Sequence, residues 1–151
     1  DVGSRGDFRF LENWHAGEKA WEWPGQEGTK RWSGENARIL LPVRKGKGYT
    51  LEMDVAVPEY ARMEGAGFYL NGKQLAPLPE KDIEVISMDL PKTKSDEVEI
   101  RVRSKNWQPI DERENTNDTR TLGISIRSLT MTMKGAEDKK VFNANTGHWM
   151  E

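Results

Sequence analysis

The sequence predicts an all-β domain, an antiparallel two-sheet β-sandwich with the topology of a jelly roll. Apolar and polar residues alternate with a period of two in several short segments, and glycine or proline turn signals separate these segments. No segment shows the periodicity of a long amphipathic helix. One polar face per strand indicates antiparallel sheets that meet water on one side. About eight short strands at this spacing favour a jelly roll over an immunoglobulin topology.

The strands are predicted in chain order from this alternation. The first covers residues 37–42 and ends at Pro42, because proline cannot donate a hydrogen bond to a neighbouring strand. Residues 49–57 alternate most regularly, and similar segments cover 83–88 and 98–102. The apolar side chains expected to share one face of the 49–57 strand are Tyr49, Leu51, Met53, Val55 and Val57.

The last predicted strand covers residues 122–129. Before it, Asn71-Gly72 between two apolar segments favours a type I′ hairpin, since both residues accept a positive φ. Residues 58–64 have room for one short helical turn. In the last strand, the side chains expected in or near the core are Leu122, Ile124, Ile126 and Leu129.

We expect residues 1–151 to form a single module with a core over about 7–133, since a chain of this length fits one domain. Residues 134–151 are expected to be a linker, or a tail that packs back through Phe142 and Trp149. The chain is expected to be a module of a larger protein with an extracytoplasmic or secreted location.

The composition narrows the function classes. The chain has 23 basic and 25 acidic residues, so its net charge of −2 argues against a nucleic-acid partner. It has no cysteine, which excludes disulfides, thiolate metal ligands and a cysteine nucleophile. No apolar run approaches the ~20 residues of a membrane span, so we expect no direct membrane insertion.

Tryptophan is concentrated near the start of the chain. Four of the six tryptophans, Trp14, Trp21, Trp23 and Trp32, lie among the acids Glu12, Glu18, Glu22 and Glu27 and the base Arg31. The segment from Trp14 to Trp32 contains no Leu, Ile, Val or Phe, unlike a segment that builds a core. Indole faces can cover the C–H surface of a pyranose while charged groups hydrogen-bond its hydroxyls. The pattern therefore indicates sugar binding, against the alternative that the rings close the end of a sandwich.

A second candidate region is the polar loop 108–121, which follows Trp107 and separates two predicted core strands. A polar loop of this length in a compact domain is usually a binding loop or disordered. Asp118 and Arg120 lie two residues apart and project to one side if the chain is extended. They either lock the loop as an ion pair or present a donor and an acceptor to vicinal hydroxyls.

These elements, in this order, resemble the β-sandwich accessory domains of bacterial polysaccharide-processing glycoside hydrolases and membrane glycosyltransferases. The resemblance spans residues 10–133. The residues that carry it are Asn13-Trp14-His15-Ala16-Gly17-Glu18, Lys30-Arg31-Trp32, Ala37-Arg38-Ile39-Leu40-Leu41-Pro42, Asn71-Gly72, Trp107-Gln108-Pro109 and Asp118-Thr119-Arg120-Thr121-Leu122-Gly123-Ile124. Two features depart from the family's pattern: Asn13 replaces a glycine, and residues 20–29 are an insertion.

The resemblance implies a non-catalytic, carbohydrate-binding-module-like domain that binds a polysaccharide or oligosaccharide beside a neighbouring catalytic domain. Trp21 and Trp23 in the insertion are either a ligand platform or a packing surface for a neighbour. The family's recurring residues have an alternative role as architectural ion pairs, Glu18 with Arg31 and Asp118 with Arg120. The residues that the resemblance places at or near one end of the sandwich are Trp14, Glu18, Arg31, Trp32, Trp107, Asp118 and Arg120.

Two other functions are carried as alternatives. The first is a structural domain that supports a catalytic partner and binds no ligand. The second is a small glycosidase or polysaccharide lyase, in which Glu18 or Glu22 with Asp118 would form an acid/base pair. No cofactor is expected. Hard oxygen ligands for a structural Ca²⁺ are present but complete no ligand pattern; they are Asp111, Glu112, Glu114 and Asp118.

Overall fold

The computed structural model describes residues 10–24, 28–135, 141–143 and 148–150, the last two ranges as backbone. The protein is all-β, with 51% of residues in strands and 7% in helices, which confirms the predicted class. All pairs between the described strands are antiparallel. The strands are β1 (Leu11–Trp14), β2 (Glu18–Lys19), β3 (Thr29–Pro42), β4 (Tyr49–Ala56), β5 (Gly67–Leu70), β6 (Lys73–Pro77), β7 (Ile83–Leu90), β8 (Glu97–Arg103), β9 (Ser125–Met133), β10 (Val141–Asn143) and β11 (His148–Met150).

The long strand β3 joins two groups of strands. Its second half pairs with β8, which continues through β5 to β6. Its first half pairs with β9, which pairs along its other side with β4, and β4 pairs with β7. A register irregularity between β1 and β3 accompanies positive φ angles at Asn13 and Asn36. Because β3 belongs to both groups, the strands form one connected, nearly barrel-shaped sheet, and the predicted two-sheet jelly roll is not confirmed.

A bulge in β9 explains why the buried residues of that strand change from even-numbered to odd-numbered positions. The β4–β9 register shifts where Asp54 faces Ser128 and Val55 faces Ile126, so Arg127 is the extra residue. Ile126 and Leu129 therefore both reach the core, although they are three residues apart. The bulged Arg127 lies on the opposite, outward side, where it contacts Asp54.

The predicted local elements are present. Asn71 and Gly72 have φ angles of 50° and 80°, as the type I′ turn between β5 and β6 requires. Pro58 precedes a single 3-10 turn over Glu59–Ala61. A four-residue helix, α1 (Pro109–Glu112), lies within the predicted polar loop.

The core lies between the inward faces of the two strand groups. The five apolar residues predicted to share one face of β4 are all buried, and so are the four predicted core residues from 122 to 129. β10 pairs alongside the second half of β9, and β11 pairs with β10 at the edge of the sheet. The side chains of Phe142 and Trp149, which the tail prediction invoked, lie outside the described residues.

Candidate functional site

Polar and aromatic side chains from the first half of β3 enter one end of the fold. The strand begins at Thr29, so Lys30 and Trp32 both belong to it and lie two residues apart on its inward face. They are 1% and 2% exposed. The Nζ atom of Lys30 lies 4.4 Å from the centroid of the Trp32 ring. A cation held against an indole face in a buried place is a favourable arrangement.

Glu18 connects this strand to the polar loop. One carboxylate oxygen accepts a 2.8 Å hydrogen bond from Trp32 Nε1 and lies 3.7 Å from Lys30 Nζ. The other accepts a 3.2 Å hydrogen bond from Arg120 Nη1. Both oxygens of this predicted sugar contact therefore already have protein partners.

Arg120 and Asp118 form the predicted ion pair. Asp118 accepts hydrogen bonds from Arg120 Nη2 at 2.7 Å and from Arg120 Nε at 3.0 Å. The guanidinium hydrogen bonds lower the pKa of Asp118, and the carboxylate raises the pKa of Arg120. The pair locks the loop, which also closes through a backbone bridge between Trp107 and Leu122.

Trp107 is a core residue and offers no open ring face. It is 4% exposed, and its Nε1 donates a 2.9 Å hydrogen bond to the carbonyl of Gly123. Its ring meets Trp32 edge to face at 5.5 Å between centroids, and Tyr60 lies 5.1 Å away. Arg113 covers the ring with its guanidinium carbon 5.0 Å from the centroid.

The remaining predicted site residues are in different environments. Trp14 is half-buried and donates to the carbonyl of Arg38, and Arg31 donates to the carbonyl of His15. Trp23 is 3% exposed and packs on the outer side of β4, so its ring is a packing surface and not a ligand platform. Trp21 alone among the predicted tryptophans is open, at 56% exposure, with Lys19 Nζ 5.5 Å from its ring centroid.

A buried ion pair links the insertion to β3. The Nζ atom of Lys30 donates to Oε1 of Glu22, and burial lowers the pKa of Lys30 more strongly than its carboxylate neighbours raise it. The second oxygen of Glu22, Oε2, is buried and accepts no hydrogen bond from any described residue. Within the described part of the chain, Glu22 therefore keeps an acceptor without a donor.

Glu22 lines a groove of about 510 Å³ at the end of the fold where β4 finishes and β7 begins. Tyr60, from the 3-10 turn, and an edge of Trp32 contribute aromatic surface. Arg113, which follows α1, brings a guanidinium that forms no ion pair with a described residue. The other lining residues are Ala56, Val57, Pro58, Glu59, Asp82 and Ile83.

The structure thus divides the predicted site residues. Glu18, Trp32, Trp107, Asp118 and Arg120 come together as one bonded network, which we call the end network. Of the predicted residues only Trp32 also reaches the groove, where it meets Glu22, the residue named in the glycosidase alternative.

Sequence reasoning missed Tyr60, Arg113 and Lys30. A signal existed for Lys30, because period-2 alternation extended back from Trp32 places it on the same inward face. Tyr60 and Arg113 lie in connections whose sequences predict turns and exposure, and only the packing of those connections brings them together.

Within the ranges that the structure describes, no group of three or more His, Cys, Asp or Glu side chains could hold a metal ion. The four carboxylates considered for Ca²⁺ therefore do not converge, and Asp118 is engaged by Arg120. In the same part of the chain, no helix has the length and apolar character needed to cross a membrane.

Comparisons of the chain with protein-family models, with curated proteins and with solved structures find no match.

Proposed function

We propose that the protein is a non-catalytic carbohydrate-binding accessory module, and that the groove is its sugar-binding place. The observation that carries this proposal is the coincidence of two unused hydrogen-bonding groups with aromatic surface. Among the described residues, Oε2 of Glu22 is buried beside the groove without a donor, and Arg113 has no carboxylate partner. Tyr60 adds aromatic surface next to Trp107. A sugar hydroxyl both donates and accepts, so a diol that reaches this wall can hydrogen-bond to either group.

The charge of the groove selects the class of sugar. Lys30 already neutralises Glu22, and Arg62 lies 3.9 Å from Asp82, which leaves the carboxylate of Glu59 against the guanidinium of Arg113. The lining therefore has no net positive charge to attract a uronate carboxylate, and it suits a neutral or an amine-bearing sugar. We therefore assign the groove to neutral or amine-bearing oligosaccharides.

The affinity is expected to be modest. Aromatic contact contributes about 1 kcal/mol per ring, and an exposed charge-assisted hydrogen bond contributes about the same. A sum of at most about 4 kcal/mol corresponds to a dissociation constant in the millimolar range. Such affinity is effective when the module is tethered to an enzyme on the same polysaccharide, as in the resembling accessory domains. We include in this proposal that the protein shares the jelly-roll fold of those accessory domains.

A non-catalytic role is favoured over the glycosidase alternative. A general acid in glycoside hydrolysis needs a raised pKa, and Arg120 lowers the pKa of Asp118, so Asp118 does not fit the role of the acid. Glu18 shares the same arginine. These carboxylates therefore have the electrostatic surroundings of structural ion pairs.

Isothermal titration calorimetry and NMR titration against neutral, amine-bearing and uronate-containing oligosaccharides test the proposal. We expect binding of a neutral or amine-bearing member and at least about fivefold weaker binding of Glu22→Gln, which retains the side-chain size but loses the charge. Glu97→Gln is the matched control, because Glu97 is exposed at the start of β8, away from the groove. Absence of binding to the whole panel would refute a sugar-binding groove.

A structural domain without ligand is the second candidate, and the end network favours it. Glu18, Arg120 and Asp118 are bonded to one another, and Trp107 and Trp32 are buried, as in an architectural cluster. This candidate predicts no shift of groove resonances with any glycan, so the same titration separates it from the first.

A further inference from the structure

We propose that Trp23, Asp54 and Arg127 are positioning residues for Glu22. They hold the segment that carries Glu22 against the outer side of the sheet, and so complete one wall of the groove. The consequence for ligand affinity rests on the proposed function. The consequence for the groove itself does not.

The clamp, as we call Trp23, Asp54 and Arg127, is built from three mutually bonded side chains. Trp23 Nε1 donates a 2.8 Å hydrogen bond to Asp54 Oδ1. Arg127 donates to Asp54 Oδ2 from Nη2 at 2.7 Å and from Nε at 3.1 Å. The guanidinium carbon of Arg127 lies 5.3 Å from the Trp23 ring centroid. Each member therefore contacts the other two, and Asp54 has partners on both of its oxygens.

The position of the clamp is unusual for a strand surface. Asp54 faces away from the main core, yet it is 7% exposed, because Trp23 and Arg127 lie against its carboxylate. Burying a carboxylate without hydrogen-bond partners costs free energy. Asp54 therefore needs the hydrogen bond from Trp23, which forms only when the segment that carries Trp23 lies against the sheet. The β9 bulge supplies the remaining partner by turning Arg127 toward Asp54.

The clamp and the groove share their walls. Trp23 and Ala20 pack against Ala56 and Ile83, and both of these residues also line the groove. Glu22 lies between the two packed residues of the segment, so its position is fixed from both sides. Glu22 in turn covers Lys30, whose side chain is 1% exposed.

Lysine acylation tests the inference without any sugar. If the clamp holds Glu22 in place, Trp23→Ala and Asp54→Asn release the segment and expose Lys30. We expect acylation of Lys30 by an activated (N-hydroxysuccinimide) ester of acetic acid to become at least about tenfold faster relative to exposed Lys94 in the same chain, as measured by mass spectrometry. Glu52→Gln is the matched control, because Glu52 is exposed on the same face of β4, two residues before Asp54.

Protection of Lys30 in both folded variants would overturn the inference, and so would acceleration in Glu52→Gln. Asp54→Asn keeps the test decisive if Trp23→Ala does not fold, with circular dichroism reporting the fold of each variant. If the wild type binds a glycan, its affinity must fall in the variants in which Lys30 becomes reactive, and unchanged affinity would overturn the positioning role. If the wild type binds no glycan, the proposed function fails, and Lys30 reactivity alone decides whether the clamp forms the groove wall.

Discussion

The end network and the groove are built from the same residue types but use them differently. In the end network, Glu18, Asp118 and Arg120 are paired with one another, and Trp107 is sealed. In the groove, Glu22 keeps an oxygen with no described donor, and Arg113 has no described carboxylate. Tryptophan mixed with carboxylates and guanidinium groups can therefore form either a structural cluster or a candidate binding site. Polar groups without a hydrogen-bond partner distinguish the binding site from the cluster.

Replacing the central ring of the end network should have the largest effect. Trp107→Ala removes a buried indole, its contact with Trp32 and its hydrogen bond to Gly123. We expect a loss of about 3–5 kcal/mol in the free energy of unfolding, measured by urea denaturation. Trp21→Ala is the comparison in an exposed position, and a similar loss there would contradict the division between the two regions.

The next effect concerns the ion pairs of the end network. Arg120→Ala leaves Glu18 and Asp118 without their guanidinium partner, and we expect a loss of about 1–2 kcal/mol at neutral pH, since the group is partly exposed. Chemical denaturation measures it. Arg101→Ala, which removes an exposed pairing with Glu99, should cost less than about 1 kcal/mol.

The same ion pair has a pH dependence of defined sign. Because the folded-state pKa of Asp118 is lowered, its stabilising contribution is present above the ordinary aspartate pKa of 3.8 and is lost as the pH falls below it. Stability measured from pH 7 downward should therefore decrease less steeply in Arg120→Ala than in the wild type within that acidic window. Equal slopes would show that Arg120 does not perturb Asp118.

A change in the groove should act on binding and leave the fold intact. Arg113→Ala removes an exposed guanidinium that has no described ion-pair partner but covers the Trp107 ring, so we expect a stability loss of about 0.5–1 kcal/mol. Its affinity for the oligosaccharide that the wild type binds should fall about fivefold in calorimetry. Large destabilisation with unchanged affinity would assign Arg113 to the end network.

The smallest effect is expected at the open ring. Trp21→Ala should change the free energy of unfolding by less than about 0.5 kcal/mol, because the ring is 56% exposed. Loss of affinity of more than about threefold in glycan titration would extend the binding surface from the groove to Trp21.

Much of the fold follows from the alternation of residues. The β4 segment, the Asn71-Gly72 hairpin and the core positions of the last predicted strand all agree with the structure. The start of β3 was missed, because Ser33-Gly34-Glu35-Asn36 breaks the apolar pattern before Ala37. Lys30 and Trp32 were consequently not recognised as strand neighbours that point inward together.

The candidate site was predicted less completely. The sequence brought Asp118 and Arg120 together, because two residues in an extended segment share a side. It did not reveal that Arg120 also reaches Glu18, which lies 102 positions away in the chain. Tyr60 and Arg113 likewise come from distant parts of the chain, and they line the same groove because two separate connections fold over one end of the sheet.

The sequence by itself determined the β class, the turn at Asn71-Gly72 and which side chains of β4 and of the last predicted strand face inward, because these depend on residues close together in the chain. Only the tertiary structure decided which outward faces are covered. Alternation assigned Asp54 to a polar face, but it is buried because the Trp23 segment folds onto that face. Burial depends on contacts between distant segments, and the same contacts separate the bonded end network from the open groove.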